Sequence, residues 1–239
     1  MNPVYKLFLL FCILSSVSVL TKLQDMPEAI YPKLAVHAAT PNDFIPKGWK
    51  LEQMKKGDLN GDGKADIALV LHQNDPRNVV RNELVLGAAQ YDTNPRILAV
   101  ALADPRGQGY TLVLENHSLI PILDQPTIDD PFKSVSILNG SLRVSLRFWS
   151  SVGSYSAYET TYTFRYSTDC FRLIGYDNTD MQRNSGQTTE YSVNYLTGKI
   201  KTTTSIYGSR RKLVKFSNLS SIKQICIDLI TDSFDPEHP

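Results

Sequence analysis

The sequence predicts a mainly β fold: an antiparallel sheet of successive hairpins, sandwich-like or partial propeller-like, with a short C-terminal helix. Three observations predict it. From Ala65 onward, short runs of alternating apolar and polar residues follow one another. Turn signals rich in Gly, Asn and Asp separate those runs. Near the end, Ile222, Ile225, Leu229 and Ile230 recur at helical spacing, with Ser220 placed to cap the segment.

The first element reads as a secretory signal, residues 1–18. Lys6 precedes the apolar run Leu7 to Leu14, and the small residues Ser15, Ser16 and Ser18 follow. The run is short of the roughly 20 apolar residues that a membrane span needs. Later segments are too polar to span, so no transmembrane segment is expected after signal removal. Phe11 stands where a lipobox places a small residue before Cys12, so lipoprotein anchoring is not expected. The chain is thus expected to be exported, to the periplasm or the extracellular space of a bacterium.

Residues 19–48 form a lead-in. Met26 to Ala39 reads as a short helix or an extended segment, which Pro41, Pro46 and Gly48 then break. Trp49 is expected to anchor the lead-in on the sheet. A single β-rich domain follows over 49–232. Residues 233–239 read as a disordered tail.

The strongest chemical pattern is the loop from Asp58 to Asp66. Oxygen-bearing side chains stand at alternate positions: Asp58, Asn60 and Asp62. Gly63 then allows a sharp turn. Lys64 can offer its backbone carbonyl, and Asp66 adds a third carboxylate. Calcium takes six to eight oxygen ligands in a tolerant geometry, whereas magnesium gives up its waters reluctantly. The predicted metal residues are therefore Asp58, Asn60, Asp62, Lys64 and Asp66, around a structural Ca²⁺. An EF-hand would need a bidentate Glu where Leu69 stands. The run Ile67-Ala68-Leu69-Val70-Leu71 reads as a strand, so this is a loop-to-strand motif.

The stretch from Gly57 to Val70 resembles the calcium loop of FG-GAP or VCBS-type repeats, which build propeller blades. The remaining chain is similar to uncharacterised secreted bacterial proteins that carry one such loop. That likeness runs through Asp130-Pro131-Phe132, Thr163 to Tyr166, Leu173-Ile174-Gly175 and Val193 to Lys199. The resemblance implies calcium binding and brings no activity with it. One loop does not imply a full multi-bladed propeller.

The remaining strands follow in order. Arg96 to Ala103 and Tyr110 to Glu115 flank the turn from Asp104 to Gly109. Residues Asn116 to Phe132, with three prolines, form an irregular connection. Asn139-Gly140 is a favoured two-residue hairpin turn. It sets Ile137 opposite Leu142 and Val135 opposite Val144, with Leu146 and Phe148 on the same face. Tyr158, Tyr162, Phe164 and Tyr166 share a face, opposite Glu159, Thr161, Thr163 and Arg165. Phe171 to Tyr176 makes a further strand. Tyr191, Val193 and Tyr195 lead into the turn Leu196-Thr197-Gly198-Lys199, and Ile200 to Tyr207 returns from it.

The chain holds 25 Lys and Arg against 24 Asp and Glu, a net charge of +1. That balance gives no reason to expect a nucleic acid partner. Arg210-Arg211-Lys212 reads as a solvated strand or turn. Cys170 and Cys226 can form one disulfide in an oxidising compartment, or stay as buried thiols.

No catalytic residue is identified. The histidines His37, His72, His117 and His238 are scattered, and His72 reads as a surface residue at a strand end. Glu159, Asp177, Asp180 and Glu190 are the acids that could supply a carboxylate pair for glycan hydrolysis. The aromatic residues from Trp149 to Tyr207 can pack in a sheet or stack on a ligand. The leading expectation is an exported calcium-binding module of the envelope, with a glycan or protein ligand. A secreted glycan hydrolase is the alternative. A third reading is an inhibitor or immunity-type protein that uses Asn116–Phe132 as a protruding loop.

Overall fold

A computed structural model describes residues 29–83, 86–167, 170–231 and 234–237. The signal region 1–18 lies outside the described residues, as do lead-in residues 19–28.

Alternating apolar residues and glycine-bearing turns build two antiparallel sheets and a short ribbon. The smaller sheet contains β1 (His37–Ala38), β2 (Trp49–Gly57), β3 (Asp66–Gln73), β6 (Arg96–Ala103) and β7 (Tyr110–Asn116). Its spatial order is β1-β7-β6-β3-β2. Between β3 and β6, the strands β4 (Val79–Arg81) and β5 (Gln90–Asp92) form a separate two-stranded ribbon.

The larger sheet is an uninterrupted meander of seven strands. They are β8 (Phe132–Leu138), β9 (Ser141–Phe148), β10 (Ser156–Tyr166), β11 (Phe171–Gln182), β12 (Gln187–Asn194), β13 (Lys199–Ile206) and β14 (Lys212–Asn218). Each pairs antiparallel with its sequence neighbour. The fold is mainly β, as the patterning predicts, and no closed barrel forms among the described residues.

The hairpin at Asn139-Gly140 has the predicted register: Ile137 faces Leu142 and Val135 faces Val144. Both turn residues have positive φ, 51° and 67°, as a type I′ turn demands.

The two sheets share one core. Ala68, Val70, Leu98 and Val100 of the smaller sheet meet Leu142, Val144, Phe164 and Val193 of the larger. Edge strand β2 lies against edge strand β8, where the Gln53 Oε1 accepts from the Val135 N–H at 2.7 Å. The opposite face of the smaller sheet presents Ile67, Leu69, Leu71, Ile97 and Ala99. Leu34, Ala38 and Phe44 of the lead-in cover it, with Tyr31 and Trp49 at the rim. The lead-in is extended from Ala29 and takes the second of the two predicted forms. Trp49 lies 6.2 Å from Tyr31, ring to ring, and anchors it as expected.

The predicted helix over Ile222 to Ile230 does not form. Only Ile227–Leu229 makes a single 3₁₀ turn. Cys226 is bonded to Cys170 and bridges Arg172, while the Leu173 N–H donates to the Ile225 carbonyl. These ties draw the segment out beside β11. Ile225 and Ile227 then bury together at strand spacing, which competes with the helical period. Strand β11 also runs past the predicted end at Tyr176, through Asp177, Asn178, Thr179 and Asp180.

The connection 116–132 is held down, not protruding. Leu119 and Ile120 are buried, and Asn116 accepts from the Ser118 and Leu119 N–H groups.

Candidate functional site

The acidic loop is the connection of the β2–β3 hairpin, closed where Gly57 pairs with Asp66. Two glycines make its turns, Gly61 and Gly63, with φ of 82° and 80°. Leu59 points the other way and is buried in the shared core. The loop is therefore pinned by one apolar side chain and leaves Asn60 and Asp62 exposed and Asp58 half-buried.

Asp66 is fully buried. Its Oδ2 accepts from the Leu59 N–H at 2.8 Å and its Oδ1 from the Ala103 N–H at 2.9 Å. It thus ties the loop to the β6–β7 hairpin, and the Lys64 ammonium adds a second tie to the Pro105 carbonyl. Asp58 accepts from the Gly61 N–H at 2.6 Å and the Gly63 N–H at 2.8 Å. Asn60 Oδ1 accepts from the Asp62 N–H at 3.0 Å. Asp62 accepts from the Lys64 N–H at 2.8 Å and from the Asn60 amide at 3.1 Å.

The electrostatics divide the carboxylates. Backbone N–H groups of Gly63 and Gly61 hold Asp58 below its ordinary range. Burial pushes Asp66 up, and the like charges of Asp62 and Asp58 add to that push. The acids are close enough to repel. Among the described residues, no three His, Cys, Asp or Glu side chains converge as a metal-holding group. The loop carboxylates are turned onto N–H donors. An ionised carboxylate has about four acceptor positions, so two N–H bonds do not exhaust it. The donor set of carboxylates, one amide and a backbone carbonyl is all oxygen, which fits a hard cation such as calcium.

The four acids considered for a carboxylate pair divide between the two faces of the sheet. Glu159 aligns with Thr179 and Glu190 across three strands, and Asp177 with Thr161 and Ser192. Those three acids share one face. Asp180 pairs with Tyr158 and lies on the other. Glu159 is engaged by Lys133 at 2.5 Å, Asp177 by Ser192 at 2.6 Å, and Asp180 by Ser156 at 2.7 Å.

His72 is not at the surface as the sequence suggested; it is buried. Its Nε2 lies 3.1 Å from the Asn94 carbonyl, which can only accept, so that nitrogen carries the hydrogen. Beside it, Arg96 binds Glu52 at 2.6 and 2.9 Å and Asp130 at 2.6 Å. Glu52 is the extra residue of a β-bulge in β2, which turns it toward Arg96. Alternation alone puts no bulge at Glu52, so sequence reasoning missed this cluster.

It also missed the shape of the aromatic face. Phe164 of that face is buried in the core, but Tyr158 is 40% exposed. Tyr158, Thr160 and Tyr162 floor two adjoining clefts of about 720 and 680 Å³. Comparison with protein-family models, curated proteins and solved structures yields no match, so the chemistry of these two places carries the functional reading.

Proposed function

We propose that this chain is an exported calcium-binding β-domain in which the ion has a structural role. It serves as a binding or envelope-associated module and not as an enzyme. One observation carries the reading. The β2–β3 hairpin gathers Asp58, Asn60, Asp62 and Asp66 in nine residues, with their oxygens oriented by backbone N–H groups. Those side chains and the Lys64 carbonyl would hold Ca²⁺. The bound charge would relieve the repulsion among three carboxylates and stiffen the loop. The loop order supports a likeness to FG-GAP and VCBS-type repeats. The Cys170–Cys226 disulfide supports an oxidising compartment outside the cytoplasm.

The test is calorimetric titration with CaCl₂ after chelator treatment, followed by thermal melts. An ion that binds only the folded chain stabilises it by about 2.7 kcal/mol at a hundredfold excess over Kd. A matching rise in Tm is expected, and Asp62→Ala should abolish it. Absence of both heat and Tm shift in the unaltered chain would end the proposal.

A further inference from the structure

The aromatic face of the larger sheet is only partly roofed by the smaller sheet. Tyr162 and Tyr176 sit directly opposite each other on β10 and β11, and Tyr191 lies beside Asn178 on β12. These side chains line the two adjoining clefts, which share Tyr158, Thr160, Tyr162 and Phe234. They form one trough across four strands.

The chain's own C-terminal segment lies in that trough. It was expected to be a free tail. The Phe234 ring stands 6.2 Å from Tyr162 and 6.3 Å from Tyr176. The Tyr195 hydroxyl donates to the Pro236 carbonyl at 3.0 Å. Asp235, Pro236 and Glu237 form part of the wall of the second cleft. Residues 234–237 add no strand to the sheet. Side chains of the trough hold them, as a docked peptide is held. The Tyr191 hydroxyl is buried, and the Glu237 carboxylate on the wall of the same cleft interacts with it. That contact marks a place where an occupant's acceptor oxygen would bond.

We infer that this trough is a peptide-binding groove, and that Phe234–Glu237 fills it in cis. Its partner class is an extended segment of another protein with an aromatic anchor, a proline two residues on, and an acceptor oxygen beyond that. Tyrosine faces suit proline rings, and a proline-stiffened peptide loses little freedom on docking. Aromatic troughs also accept sugars. The groove favours peptide because a peptide is what it holds. The inference does not depend on calcium.

A fluorescein-labelled peptide with the sequence of residues 231–239 tests this by anisotropy against the full chain. A tail that occupies the groove about 90% of the time weakens apparent binding about ten-fold. Phe234→Ala in the protein removes the anchor of the tail, so the labelled peptide should bind that variant about ten-fold tighter than the unaltered chain. Adding Tyr191→Phe should weaken this binding again. Pro236→Gly leaves the packed rings in place and should give a smaller gain, which keeps the test open should Phe234→Ala unfold. Equal binding to all forms, or no binding to either tail variant, overturns the inference. So does a tail variant that binds a chito-oligosaccharide and not the peptide.

Discussion

Strands β3 and β14 both carry apolar residues in close succession, yet they live in opposite surroundings. In β3, Ile67 to Leu71 are fully buried, because the larger sheet covers one face and the lead-in covers the other. In β14 every residue is exposed, with Leu213 at 57% and Phe216 at 74%. Apolar content therefore does not decide burial here; the number of layers stacked on the strand does. The smaller sheet is held by burial on both faces. The outer strand β14 of the larger sheet lacks that cover, while at the middle of that sheet a disulfide beside β11 and the Tyr195–Pro236 hydrogen bond do part of the holding.

The largest expected effect breaks that covalent tie. Cys170 and Cys226 are 56 residues apart. Closing such a loop restricts the unfolded chain by about 4 kcal/mol on a chain-entropy estimate. Cys170→Ser with Cys226→Ser should lower stability in urea by up to that amount. Hydrogen exchange should quicken first in β11 and the 225–230 segment, while β3 stays protected. A stability loss spread evenly over both sheets would show that they are not held differently.

The next effect sharpens the contrast between the two strands. Leu69→Ala opens a cavity in a sealed core and should cost about 3 kcal/mol, within the 2–5 range of such truncations. Phe216→Ala removes a larger side chain from an exposed place and should change stability by no more than about 0.5 kcal/mol. Equal losses by urea denaturation would mean that β14 is covered in solution.

These two strands also show what was legible in the sequence. Ile67 to Leu71 is a continuous apolar run, and such runs mark strands buried on both faces. The Asn139-Gly140 turn fixed a whole register, because turn type and alternation constrain each other. The loop oxygens were legible because their spacing is local, and the structure adds that Asp66 bonds to Leu59 and Ala103. What was not legible depends on distant residues. Helical spacing at 222–230 was overridden by a disulfide to Cys170. Alternation placed Tyr158 and Tyr162 on one face but could not show that the smaller sheet stops short of covering it. The tail looked disordered because its partners, Tyr162, Tyr176 and Tyr195, lie far away in sequence.

The smallest expected effect separates the two regions by pH. His72 lies in the smaller sheet, with Glu52 and Lys50 on β2, Asp92 on β5 and Arg96 on β6 around it. Burial pushes its ring below the ordinary value, Arg96 adds to that, and Glu52 and Asp92 oppose it. In the unfolded chain the ring titrates near about 6.5. Below that pH the unfolded chain takes a proton that the folded chain refuses. The contribution to stability is therefore whole above the unfolded pKa and is lost as pH falls through the lower folded value. Tm should drop between about pH 7.5 and about pH 5.5. His72→Gln can keep an N–H donor toward the Asn94 carbonyl but cannot titrate, so its Tm should change less over the same interval. An unchanged slope in that variant would move the pH dependence away from the smaller sheet and remove this distinction between the regions.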